Sequence, residues 1–274
     1  WPQAVRDRIP VNAIIPALTP TEAAAMAYRA YVGDGCTTVK VKVAEAGQTL
    51  DDDVARIAAV RSAQWSAGVH HPAIRIDANG AWTVDEAVVA IRELDGVSGG
   101  LEYVEQPCRT LEELAELRGR ISVPIAADES IRTASDPIRA AQMSAADIVV
   151  VKVPPLVGVH LALEVVRAAG VPVVVSGAMD SSVGLSAGIA LAAAVDSLPL
   201  ACGLGTGALL ADDLVAVPVR PRHGSLAVGR IAPDPERLAA ASDRLGPQRR
   251  AWWLDRLARA WEAGARELAG SWIG

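Results

Sequence analysis

The chain has 274 residues, 51% of them apolar, with a formal net charge of −6 and no clustered basic patch. That composition excludes an intrinsically disordered chain, and the charge argues against nucleic acid or an anionic membrane as the main partner, which leaves a small-molecule substrate. No apolar run reaches membrane-spanning length, because the most apolar one, 185–195, is interrupted by Ser186 and Gly188.

Along the chain, short apolar runs are each followed by a helical pattern, the alternation of a parallel sheet with helical crossovers. Strands are predicted at 11–17, 38–43, 73–77, 101–105, 124–127, 148–152, 171–176 and 200–203, and such a series of eight predicts a closed barrel. Helix starts are marked by Thr49 ahead of Asp51, Asp52 and Asp53, and by the capping boxes Thr83 with Glu86 and Thr110 with Glu113. Connections are short, so one barrel domain is expected over 11–215, with 1–10 as a lead-in and 216–274 as a C-terminal segment. Within that segment 217–231 is rich in Pro, Arg and Gly, and 248–268 reads as an amphipathic helix. Its Trp252, Trp253 and Trp261 would be costly to leave in water, so this tail is expected to pack on something. Cys36, Cys108 and Cys202 are widely spaced and form neither a disulfide framework nor a zinc knuckle, which suits a reducing cytoplasm. The chain opens at Trp1, and the absence of a leader peptide carries no weight.

Only three lysines, Lys40, Lys42 and Lys152, stand against twenty-three arginines, and all three sit in strand-like runs. What lysine offers that arginine lacks is a proton it can give up, so these positions read as places where a titratable amine is needed. The alternative for Lys40 and Lys42 is an edge strand guarded against aggregation by its charges. It weakens once the other strand ends are read. They carry Asp77 and Asn79, Glu105, Asp128 and Glu129, Lys152 and Ser176, spaced about one βα unit apart. A single strand-end acid reads equally as a helix cap or half of a salt bridge. Three in register, flanked by lysines, read differently: Asp77, Glu105 and Asp128 would repel one another unless a cation sat between them. All-oxygen ligands point to Mg²⁺, with Mn²⁺ as the alternative. A substrate carboxylate on such a cation acidifies its α-carbon, which gives Lys42 the role of base and Lys152 that of a second base or an ammonium facing it. Lys40, on the same strand face, would act on Lys42 as a like charge.

Five motifs carry a resemblance: K-V-K at 40–42, I-D-A-N-G at 76–80, V-E-Q-P at 104–107, A-D-E-S at 127–130 and V-V-V-K-V-P-P at 149–155. Together they resemble the enolase superfamily, muconate-lactonizing subgroup, whose Lys or His bases work beside Mg²⁺. The stretches 101–108, 176–184 and 201–206 are similar to one branch of it, which dehydrates a hydroxycyclohexadiene carboxylate to the aromatic acid on the route to menaquinone. The resemblance implies a TIM-like (β/α)7β barrel in which Lys42 removes and returns the proton and Lys152 stabilises the enediolate. Arg75, Asn79, Ser176, Gly177, Gly203, Gly205 and Thr206 would line the substrate pocket. It also implies an α+β capping domain of roughly 90 residues, an ordinary size, ahead of the barrel. Residues 1–10 are then a remnant linker from that domain, and 216–274 pack towards it. Without this domain the chain is expected to bind substrate poorly. A racemase of N-succinylamino acids or a dipeptide epimerase of the same subgroup remains open, since both need two opposed lysines. So does a catalytically silent barrel serving as a scaffold. The oligomeric state is expected to be a monomer or a small homo-oligomer.

Overall fold

The computed structural model describes residues 1–133 and 135–265. Its first element, β1 (Arg8–Pro10), stands apart from the main sheet. Then strands and helices alternate: β2 (Ala13–Ile15), α1 (Pro20–Val32), β3 (Thr38–Lys42), α2 (Leu50–Ser66), β4 (Ala73–Asp77), α3 (Val84–Ser98), β5 (Tyr103–Glu105) and α4 (Leu111–Arg118). The series continues with β6 (Ile125–Ala127), α5 (Asp136–Gln142), β7 (Ile148–Val151), α6 (Val159–Ala169), β8 (Val173–Val175) and α7 (Ser182–Ala194). Strands β2 to β8 form one parallel sheet in sequence order, and β1 pairs antiparallel with β9 (Ser225–Ala227).

Both faces of the parallel strands are covered, as such sheets require. Outward-facing Val39, Val41, Ile74, Ile76, Val104, Ile125, Val149, Val151, Val173 and Val175 belong to the large core shared with the helices. Alternate residues point inward, where Tyr103, Ala126, Ile148, Val150 and Val174 form a separate apolar cluster with Leu200 against it. The same period-2 alternation sends Lys40, Lys42, Arg75, Asp77 and Glu105 inward, in a register that pairs Lys40 with Arg75, Lys42 with Asp77 and Asp77 with Glu105.

Closure is made by the segment predicted as an eighth strand. The Cys202 amide donates to the Pro10 carbonyl at 2.8 Å, the Asn12 amide to the Cys202 carbonyl at 3.0 Å, and the Gly203 amide to the Val175 carbonyl at 2.9 Å. Among the described residues only Cys202 and Gly203 bridge the two edges, so the predicted strand is reduced to two bridging residues. Close approach explains this: a Cβ on Gly203 would stand 2.5 Å from Ser176 Oγ, and one on Gly205 would stand 2.6 Å from the Asn12 carbonyl oxygen. The second obstacle is backbone and cannot swing aside. Gly205→Ala should therefore cost about 1–3 kcal/mol, as overpacking does, read as a lowered thermal midpoint; an unchanged midpoint would show that the seam is slack.

The capping boxes at Thr83 and Thr110 are present, and the structure adds two more, Thr49 with Asp52 at the predicted helix start and Thr19 with Glu22 at the start of α1. Beyond the barrel lie α8 (Pro235–Leu245) and α9 (Pro247–Ala260), neither of which buries a residue. Of the tail helix predicted at 248–268, residues 266–268 lie outside the described residues. Arg237 and Arg244 hold α8 to Asp212, but Trp252, Trp253 and Trp261 stay 40–48% exposed, with Arg249 stacked 4.7 Å above the Trp252 ring. The barrel itself does not bury them. No helix of the described residues is long and apolar enough to cross a membrane.

Candidate active site

The C-terminal ends of β3 to β7 converge on one polar cluster. Lys42 Nζ donates to Asp77 Oδ2 and to Asn79 Oδ1, both at 2.6 Å. Deeper in the barrel, Lys40 Nζ lies 2.6 Å from Glu105 Oε1 and 3.0 Å from Asp77 Oδ2, and across the mouth Lys152 Nζ donates to Asp128 Oδ2 at 2.6 Å. Their burial differs in a useful way. The Lys40 side chain is 7% exposed, Lys152 16% and Lys42 29%, so the two amines placed to meet a ligand are the outer ones.

Burial opposes ionisation of Asp77, but Lys40 and Lys42 outweigh it and hold the carboxyl down to about 2. Glu105 goes the other way: burial, reinforced by the charges of Asp77 and Asp128, lifts it to about 8 against the pull of Lys40. Burial works against the Lys40 ammonium, yet Glu105 and Asp77 hold its pKa above the ordinary lysine value. Lys40 is thus a fixed cation wedged between the Asp77 carboxylate and the Glu105 carboxyl group, a partner set that its place beside Lys42 in the sequence does not announce.

Two residues that sequence reasoning left without a role organise this cluster. Gln106 is fully buried; its side-chain oxygen accepts from the amides of Asp128 (2.8 Å) and Ser130 (3.2 Å), and its amide group donates to Ser130 Oγ at 2.7 Å. It ties the end of β5 to the turn after β6. Its place inside the V-E-Q-P motif, next to Glu105, was the available signal. Glu129 accepts from Asn79 Nδ2 at 3.0 Å, so Asn79 bridges it to Lys42, with its backbone in the left-handed region at φ 48°, which Asn tolerates better than most residues.

Not every expected residue joins the cluster. Arg75 is fully buried and points to the floor of the barrel, where it pairs with Glu102, donates to the Ala201 carbonyl at 2.7 Å and to Asn12 Oδ1 at 3.2 Å, and stacks 4.6 Å over the Tyr103 ring. A period of two puts it on the same strand face as Asp77, but one layer lower. Ser176 is 7% exposed and donates to the Gly203 carbonyl at 3.3 Å. Gly203 and Gly205 make their close approaches at the barrel seam, to Ser176 and Asn12, and Thr206 is buried with an unpartnered hydroxyl. Gly177 packs against Asp180 and Leu185 at the start of α7.

A divalent cation suits this donor set chemically. Asp77, Glu105 and Asp128 offer only oxygen, and Asp128 Oδ1 is buried without a partner. Geometrically, lysines engage the acids one by one, and among the described residues no three His, Cys, Asp or Glu are gathered tightly enough to hold an ion. In this structure Asp77 and Glu105 pair with Lys40, Asp77 also with Lys42, and Asp128 with Lys152.

Carboxylates on successive strand ends with lysines on either side define the class: the chain belongs to the enolase superfamily, and the Enolase C-terminal domain-like family matches residues 22–234. A muconate cycloisomerase from Pseudomonas fluorescens shares the fold with a TM-score of 0.77 at 26% identity, over 86% of this chain and 66% of that one. The L-Ala-D/L-Glu epimerase of Bacillus subtilis does so at 0.72 and 26%, over 82% of this chain and 62% of that one. Within the superfamily the chain falls in the o-succinylbenzoate synthase family. It is 53% identical to the o-succinylbenzoate synthase of Thermobifida fusca over 270 residues, which are 97% of this chain and 80% of that protein. Against the o-succinylbenzoate synthase of Mycobacterium tuberculosis it is 50% identical over 256 residues, 93% of this chain and 74% of that protein.

Proposed function

We propose that this chain dehydrates 2-succinyl-6-hydroxy-2,4-cyclohexadiene-1-carboxylate to o-succinylbenzoate, with Lys42 as base. The observation that carries the assignment of Lys42 is its position. It is the most exposed of the three lysines, it ends β3 beside Asp77 and Asn79, and Lys152 faces it from β7.

Lys42, after releasing its own extra proton, takes the proton from the carbon bearing the ring carboxylate, leaving an enediolate. The Lys152 ammonium stands by to stabilise the developing negative charge. The electron pair then returns to the ring, the C–O bond to the hydroxyl breaks, and the same proton passes from Lys42 to the departing oxygen, which leaves as water. Aromatisation drives the step. Lys40 stays charged throughout and bridges Glu105 and Asp77. When Mg²⁺ or Mn²⁺ is bound, it supplies positive charge to the substrate carboxylate, and Asp77, Glu105 and Asp128 are the residues that would hold it. The test is appearance of the aromatic chromophore when the purified chain meets this diene and Mg²⁺. No product above a blank would end the proposal.

Two further parts are proposed with it. Cys36, Cys108 and Cys202 are all buried and unpaired, which suits a reducing cytoplasm. The exposed tryptophan face of α9 suits a segment that packs towards a capping domain over 216–274, with 1–10 as the linker. Joining such a domain ahead of Trp1 should raise kcat/KM by excluding water from the mouth. Equal values for the two proteins would show that the barrel is self-sufficient.

A further inference from the structure

Beneath Lys42 lies a buried ion pair that the reaction does not use. Asp53 and Arg56, on the first two turns of α2, are 2% and 1% exposed and bond to each other. Every nitrogen of the Arg56 guanidinium is engaged: Nε donates to the Leu18 carbonyl at 2.8 Å, one terminal nitrogen to Asp53 and to the Lys42 carbonyl at 3.1 Å, and the other to Gln48 Oε1. Gln48 in turn donates to the Ala17 carbonyl at 3.0 Å, and the second Asp53 oxygen accepts from the Ala44 amide at 2.9 Å. Ala44 is held in the left-handed region, at φ 58°.

These partners are one set of neighbours. Ala17 and Leu18 belong to the connection leaving β2, and Lys42, Ala44 and Gln48 to the end of β3 and the connection leaving it. The ladder between the two strands stops at Ile15 opposite Val41, and the next residue, Pro16, has no N–H to donate. On this side, where the β2 ladder stops short of Lys42, the Arg56 guanidinium takes over, while β4 still holds Lys42 opposite Asp77 on the other. A planar fork suits this because it reaches several acceptors at once from a fixed geometry. A buried ion pair is poor evidence of extra stability, since an apolar pair often serves as well; its better-attested use is to fix geometry.

We propose that Arg56, supported by Asp53 and Gln48, is a positioning residue for Lys42. It fixes the backbone from which the lysine amine reaches into the mouth, and it locks the β2–α1 and β3–α2 connections together as one rim. The inference rests on the reading of Lys42 as the base, because only then does its placement govern rate. Lysine at 56 keeps the charge but cannot span the Leu18, Lys42, Asp53 and Gln48 acceptors.

Arg56→Lys should lower kcat by about 10- to 100-fold, the scale on which a displacement of roughly an ångström acts, with KM much less affected. In the same variant the Ala44 amide should exchange with deuterium faster than in the parent. Gln48→Met, which removes one link at a half-buried site, should move both readouts less and in the same direction, and it keeps the test available should Arg56→Lys not fold. A purely structural role would lower the melting temperature while leaving kcat per folded molecule at the parental value. That result, or parental exchange at Ala44 in both variants, overturns the proposal. The two failures separate: a parent protein without turnover on the diene overturns the reaction itself, whereas the exchange measurement reads the anchor without any reaction.

Discussion

Lys42→Arg should lower kcat by about 10²- to 10⁴-fold, the usual contribution of a positioned acid–base group, while the melting temperature should stay close to that of the parent. The basis is the contrast between charge and titratability. This chain uses arginine twenty-three times and lysine three times, yet lysine stands at 42, with its Nζ 2.6 Å from both Asp77 Oδ2 and Asn79 Oδ1. A guanidinium at that position can still pair with Asp77, so the carboxylate keeps a cation and the cluster keeps its charge balance. It cannot give up its proton under any working condition, and so cannot act as base. The site is at the mouth, where a side chain 29% exposed has room for the longer group. Stopped-flow absorbance at the aromatic product's band, alongside a thermal melt, reads both halves. Turnover at the parental rate would remove Lys42 from the mechanism, and a collapsed melt would show that its charge is structural.

Much of this site is legible in the sequence because strand ends are. Period-2 alternation places Lys40, Lys42, Asp77 and Glu105 on the inner face, and the βα spacing puts Asp128 and Lys152 at the neighbouring mouths. What alternation does not give is depth. Arg75 shares a face with Asp77 but bonds to Glu102 and Ala201 on the barrel floor, because two residues along a strand are about 6–7 Å, a whole layer of the interior. Lys40 likewise reads as a neighbour of Lys42 until the register shows both Glu105 and Asp77 within reach of its amine. The roles of Gln106 and Arg56 depend on partners brought together only by tertiary folding: the Asp128 amide in one case, the carbonyls of Leu18 and Lys42 in the other. Their own sequence surroundings carry a motif for Gln106 and nothing for Arg56. At the seam, residues 200–203 have the apolar look of a strand, but glycine at 203 and 205 serves close backbone approach, and ladder bonding shrinks to two residues.

Glu105→Gln should weaken Mg²⁺ binding by at least about 10-fold, since even partners outside the ligand set are worth 10–100-fold, and should flatten its dependence on pH. In the metal-free protein burial lifts Glu105 to about 8, with Asp77 and Asp128 adding to the effect. The folded state therefore holds a proton there that the unfolded chain has already lost. Between the ordinary glutamate pKa, about 4.3, and that raised value the folded protein binds more protons than the unfolded one. Stability of the metal-free protein accordingly falls as pH rises through this window. Asp77 has the opposite sign: held down to about 2, it contributes stability above the ordinary aspartate range that is lost only as pH falls towards that value. A divalent ion must displace the Glu105 proton, so Mg²⁺ affinity should rise from pH 6 to pH 8, and saturating Mg²⁺ should remove the decline in stability over the same range. Glutamine at 105 keeps the shape and the Lys40 contact without a proton to displace, leaving two carboxylates that do not offset the dehydration of a small hard ion. Calorimetric titration with Mg²⁺ at both pH values, on parent and variant, reads the affinity and its slope. Parental affinity in Glu105→Gln, or full turnover by the parent in excess chelator, would show that these acids serve the lysines alone.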